Sequence, residues 1–134
     1  MTTKQLALKS AHLCLDVKGY DVIVLNLKKL TTVADYFVIC SADSDVQVKA
    51  IADRVKEGLK KEGFQTWHDE GYKNRSWILL DYIDVVVHVF HRDARMFYNL
   101  EKLWGDAKIE RVKDEAAPAA KAPPKRKRKT KQNT

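Results

Sequence analysis

Apolar positions along the chain keep two different rhythms. From about Lys4 to Lys18, Leu6, Ala7, Ser10, Leu13, Cys14 and Val17 recur at helical spacing, and Gly19 follows as a terminator. "DVIVLNL" (21–27) and "DYFVICSA" (35–42) are β-branched and aromatic runs that predict strands, joined by "KKLTTVA" as antiparallel neighbours. A second helical stripe (Val48, Ile51, Ala52, Val55, Leu59) spans about Asp45 to Glu62, and Gly63 stops it. Then come "FQTWHD" (64–69), the turn-like "EGYKNR", "WILLDY" (77–82) and "DVVVHVFH" (84–91). A last helix is expected over Ala94 to Trp104, with Asp93 as N-cap and Gly105 as terminator.

The predicted order is α-β-β-α-β-β-β-α, an α/β fold with a mixed five-stranded sheet packed against three helices. The strand–helix–strand unit over 35–69 predicts a right-handed parallel crossover, and the last three strands an antiparallel meander. "WILLDY" places Trp77, Leu79 and Asp81 on one face and Ile78, Leu80 and Tyr82 on the other, so both faces are largely apolar. Either helices cover both faces or one face meets another protein, and Trp77 suits the core as well as an interface. In the last helix Met96, Phe97, Leu100, Leu103 and Trp104 suit the core. Arg95, Tyr98, Glu101 and Lys102 lie round the other side, and aromatic and arginine side chains commonly anchor interfaces.

The net charge of +7 changes meaning once it is divided. Residues 116–134 hold seven of the 25 basic residues and no acid, which leaves 18 basic against 18 acidic residues in 1–115. The expected organisation is a neutral folded domain, 1–115, and a disordered basic tail, 116–134, with three prolines and no large apolar residue. Such an arm, with Lys125, Arg126, Lys127, Arg128 and Lys129 at its centre, would add salt-sensitive phosphate contacts to RNA, or serve as a solubilising extension. No apolar run reaches membrane-span length, and the start lacks a signal-peptide pattern, so a cytoplasmic protein is expected. Cys14 and Cys40 then read as reduced packing residues.

Two stretches imitate active sites. Asp43 and Asp45 form a D-x-D pair, and Asp84 could complete the carboxylate set of a Mg²⁺-dependent nucleotidyltransferase. Against this, Ser44 and Gln47 have capping-box spacing, Asp45 falls in the first helical turn, and no glycine-rich phosphate loop precedes them. His88 and His91 sit an odd number of positions apart in a strand and so point to opposite faces. A zinc site would need Cys40 or His68, and no spacing announces one. His88 is expected to be partly buried and hydrogen-bonded, and His91 to lie at the strand end. No serine or cysteine has a nucleophile's context. The pattern favours a binding surface over a catalyst that needs metal or cofactor.

"DYFVICSADSDVQVKAIAD", "WILLDYIDVVVHVFH" and "FYNLEKLWGDA" together resemble the ribosomal silencing factor family, also called Iojap-like proteins, from about Leu6 to Ala107. The chain departs from the family in having Ala42-Asp43 for the usual Gly-Thr, and Ile83 for a glycine. Asp43 is then peculiar to this sequence, and a β-branched residue at 83 resists a positive φ. The resemblance implies a domain related in fold to nucleotidyltransferases but without their catalytic set, often dimeric, needing no cofactor. It implies binding to the large ribosomal subunit through its protein fourteen, which obstructs small-subunit docking and represses translation when nutrients are scarce. Carried onto matching positions, the partner-binding residues are Trp77, Leu79, Asp81, Asp84, His88, Arg95, Tyr98 and Glu101. The competing readings are the nucleotidyltransferase and an RNA-binding module driven by the tail.

Overall fold

A computed structural model describes residues 1–113. The elements are α1 (Thr3–Asp16), β1 (Tyr20–Asn26), β2 (Tyr36–Ala42), α2 (Asp45–Lys61), β3 (His68–Glu70), β4 (Trp77–Asp81), β5 (Val85–His91), α3 (Arg92–Tyr98), α4 (Leu100–Leu103) and β6 (Lys108–Arg111). The six strands form one mixed sheet in the order β3-β4-β5-β2-β1-β6. The architecture is thus the expected α/β type, with one strand and one helix more than the five and three expected. β6 pairs antiparallel with β1, and all four of its residues are exposed. It is a strand because β1 offers it an edge; its own sequence, Lys-Ile-Glu-Arg, has no apolar alternation to announce it.

The expected neighbour of β2 is also corrected. β3 is three residues long and polar, and it lies at the sheet edge, paired only with β4. The parallel partner of β2 is β5, whose run "VVVHVF" is buried on both faces and therefore takes the centre. The β3-β4-β5 meander is antiparallel throughout, as its sequence suggests.

One sheet face is fully covered. Val22, Val24, Val38, Cys40, Ile78, Leu80, Val85, Val87 and Val89 pack there against Leu6, Ala11 and Cys14 of α1 and Val48, Ile51, Val55 and Leu59 of α2. Thr2 caps α1 in a reciprocal box with Gln5. At α2, Ser44 accepts from the Gln47 N–H, but the Gln47 side chain does not close the expected box. Its Oε1 accepts from the Asp43 N–H, and its Nε2 donates to the carbonyls of Val17 and Lys18, tying the end of α1 to the start of α2.

The opposite face carries Ile23, Leu25, Phe37, Ile39, Val86 and Phe90, with Leu100, Ala94, Trp104, Trp77 and Leu79 against them. Among the described residues only the short α3 and α4 lie over it. The single helix expected over 94–104 is two, because Asn99 adopts a left-handed φ of 45° and serves as N-cap of the second. The N-cap of α3 is His91, whose Nδ1 accepts from the Asp93 N–H; Asp93 sits in the first turn instead.

Candidate functional site

The D-x-D stretch and its supposed third carboxylate do not meet. Val85 is in register with Tyr36 and His91 with Ala42, so Asp84 lies before one end of the β2–β5 pair and Asp43 beyond the other. Seven residues at roughly 3.3 Å each put them more than about 20 Å apart. Asp43 is held by Tyr20, whose hydroxyl donates at 2.6 Å, and by Arg92 at 3.1 Å. These bonds, Tyr20's first, keep its carboxyl below the usual range. Among the described residues no group of three or more His, Cys, Asp or Glu is placed to hold a metal ion. Cys14 and Cys40 are free and buried.

What the second face does assemble is an aromatic cluster. Register places Trp77 opposite Phe90, Leu79 opposite His88 and Asp81 opposite Val86. The Trp77 ring, partly buried, stacks on Phe90 at 4.9 Å and meets Tyr98 of α3 at 4.7 Å. Its indole N–H donates to His88 Nδ1 at 3.1 Å. His88 is 3% exposed, with Phe37 edge-on at 4.5 Å, and burial pushes its pKa down to about 3. It is a neutral core histidine, more deeply buried than its sequence suggests, and it lies beneath Trp77 and Leu79.

The last helix presents a different side from the one its spacing suggests. Met96, Phe97 and Leu103, expected in the core, are 79%, 80% and 71% exposed. Arg95, expected outside, has a side chain only 10% exposed. Its guanidinium donates to the Asp21 carbonyl at 2.6 Å, to Ser41 Oγ at 2.9 Å and to Glu101 Oε2 at 3.0 and 3.3 Å. Three consecutive apolar residues, 96–98, cannot all face inward on one short helix. Once Asn99 resets the phase, the strong guanidinium bonds decide which side turns down.

The eight positions thus divide. Trp77, Leu79 and Asp81 share one face with Tyr98 beside them, and Asp84 is exposed at the β4–β5 turn. His88 lies under that face, and Arg95 and Glu101 are bonded to each other, with Arg95 also tying α3 to β1 and β2. Met96, Phe97 and Leu103 are exposed, and Phe97 meets Tyr98 edge-on at 5.0 Å; the signal that could have shown them is Asn99, a residue tolerant of the left-handed conformation, in the middle of a supposed helix. Glu70, opposite Leu79, adds to the acidic rim of Asp81 and Asp84. The tail residues Lys125–Lys129 lie outside the described residues.

An aromatic face with an acidic rim, only partly roofed by its own helices, in a fold whose carboxylates do not converge, defines a docking domain. The chain belongs to the family described as ribosomal silencing factor during starvation, whose model matches residues 1–134. It is 45% identical over 109 residues to ribosomal silencing factor RsfS of Bacillus subtilis, covering 81% of this chain and 92% of that one. It is 36% identical over 101 residues to the chloroplastic protein Iojap of Zea mays, covering 75% of this chain and 44% of that one. A crystal structure of a Chromobacterium violaceum protein superposes with a TM-score of 0.77 at 35% identity, covering 90% of this chain and 98% of that one. One from Bacillus halodurans gives 0.71 at 39%, covering 83% and 100%. The general activity is therefore ribosomal silencing.

Proposed function

We propose that the chain silences translation by binding the large ribosomal subunit at its joining face, through ribosomal protein fourteen, and excluding the small subunit by volume. The observation that carries this reading is the face around Trp77, Leu79 and Tyr98: apolar, partly uncovered, and rimmed by Asp81, Asp84 and Glu70. Trp77 and Tyr98 are the anchors that lose water on docking; the carboxylates meet basic groups of a ribosomal protein and set orientation. Arg95 and Glu101 act from within by holding α3, and His88 lies buried behind the contact. Met96, Phe97 and Leu103 join the contact.

In this reading the domain keeps a nucleotidyltransferase-like plan without its catalytic set, needs no cofactor, and works in the cytoplasm under nutrient limitation. The basic tail, with Lys125, Arg126, Lys127, Arg128 and Lys129, adds ribosomal RNA contacts, and a homodimer is the free form. Sedimentation of separated subunits mixed with the protein is the test. Whole-ribosome formation should fall with wild type and recover with the double substitution Glu70→Lys, Asp84→Lys, at two exposed carboxylates of the rim. Undiminished association at saturating wild-type protein refutes the proposal.

A further inference from the structure

The cluster contains one buried polar group that the docking reading does not itself require. His88 sits among Phe37, Phe90 and Trp77, and among the described residues its Nε2 has no hydrogen-bond partner. Because Nδ1 accepts the Trp77 N–H, the ring proton of the neutral imidazole must be on Nε2. That buried N–H is therefore an unmatched donor, an arrangement that costs free energy and that an apolar ring of similar size would avoid. Phe37, Trp77 and Phe90 lie against its ring, and Leu79 of β4 and Ile39 of β2 are its cross-strand partners. What the imidazole alone supplies is an acceptor for the indole.

We propose that His88 is a positioning residue for docking: its Nδ1 draws the indole N–H of Trp77 inward, so that a partner meets that ring as a fixed apolar surface with no free donor. The inference rests on the docking face proposed above. Without the bond, the indole would keep its stacking on Phe90 and its contact with Tyr98 but would gain a donor needing water or a partner acceptor, and its side-chain torsions would loosen. The partner group seated on Trp77 accordingly brings no acceptor: it is an aliphatic side chain or the stem of a cationic one.

The test uses the full chain carrying His88→Phe, which keeps an aromatic ring and removes the acceptor, and His88→Asn, whose amide oxygen can take the place of Nδ1. Should the Phe variant not fold, His88→Leu replaces it. Two readouts are taken: the ¹⁵N indole cross-peaks of Trp67, Trp77 and Trp104, assigned with Trp77→Phe, and affinity for isolated large subunits by sedimentation. In His88→Phe the Trp77 peak should shift and exchange faster with solvent while the other two stay. Affinity should fall about three- to tenfold, the effect of having to immobilise one loosened side chain. His88→Asn should restore both. An unmoved Trp77 peak, or undiminished affinity, in the Phe variant overturns the proposal, as does failure of Asn to rescue. If wild type itself does not sediment with large subunits, the docking reading falls instead, and the indole peaks with their rescue decide whether His88 positions Trp77.

Discussion

Acid should weaken this domain as pH falls below about 6.5, and His88 is the reason. In the unfolded chain an ordinary histidine takes up a proton near pH 6.5, whereas burial among aromatic rings holds His88 neutral down to about pH 3. Between those values the unfolded state binds a proton that the folded state refuses, so stability is fully present above about pH 6.5 and is lost as pH falls. The slope is about 1.4 kcal/mol per pH unit, so at pH 5, about 1.5 units below the unfolded value, the loss reaches about 2 kcal/mol. For a domain of this size that lowers Tm by roughly 8 °C. The depressed Asp43 carboxyl has the same sign but acts only as pH approaches its unfolded value of 3.8, outside this window. Urea denaturation followed by far-ultraviolet circular dichroism at pH 7, 6 and 5 measures the effect, with His88→Phe as the variant that cannot titrate. Equal wild-type stability at pH 7 and pH 5 would refute the argument, as would a Phe variant that keeps the full loss.

Other substitutions probe the supports of the face. Gly71 has a φ of 95°, and an added Cβ would lie 1.9 Å from the Trp77 carbonyl oxygen, whereas Gly63, at 91°, has open space around it. Thermal melts should therefore show Gly71→Ala losing about 3 kcal/mol or more and Gly63→Ala only about 1 kcal/mol. Arg95→Met strands the Glu101 carboxylate and should cost about 2–3 kcal/mol in urea titrations, most of it regained in the double variant with Glu101→Leu. Ile83 holds a φ of 73° at the β4–β5 turn, so Ile83→Gly should be more stable than Ile83→Ala by about 1 kcal/mol by the same measurement. Deleting residues 116–134 should lower ribosome affinity and flatten its salt dependence while specific binding persists; complete loss of binding would place the recognition in the tail.

Elements whose own residues determine their state were legible in the sequence. The stripe from Val48 to Leu59 can be buried only as a helix, and the double-sided apolar run of β5 can lie only inside a sheet. The faces of β4 followed from alternation alone, including the grouping of Trp77, Leu79 and Asp81. What stayed hidden depended on partners distant in the chain. β6 exists because β1 has a free edge, and β5 became the parallel neighbour of β2 because β3 is too short and polar for the centre. The orientation of α3 turned on Asn99 and on bonds from Arg95 to Asp21 and Ser41, more than fifty positions away. Ile83 shows the limit from the other side: the turn survives the loss of a glycine, with the β-branched residue held at positive φ and its N–H donating to Asp81 at 2.7 Å.

The anchoring of α3 by Arg95 has a consequence for timing. In the proposed role the grip needs Tyr98 on Trp77, and α3 is pinned only when a guanidinium near residue 95 reaches strands made much earlier. A chain still being synthesised therefore has its first two helices and strands long before it has a working clasp. In that role such a protein could not grip its partner until nearly all of its folded part had been made, so binding through this face would begin with finished molecules.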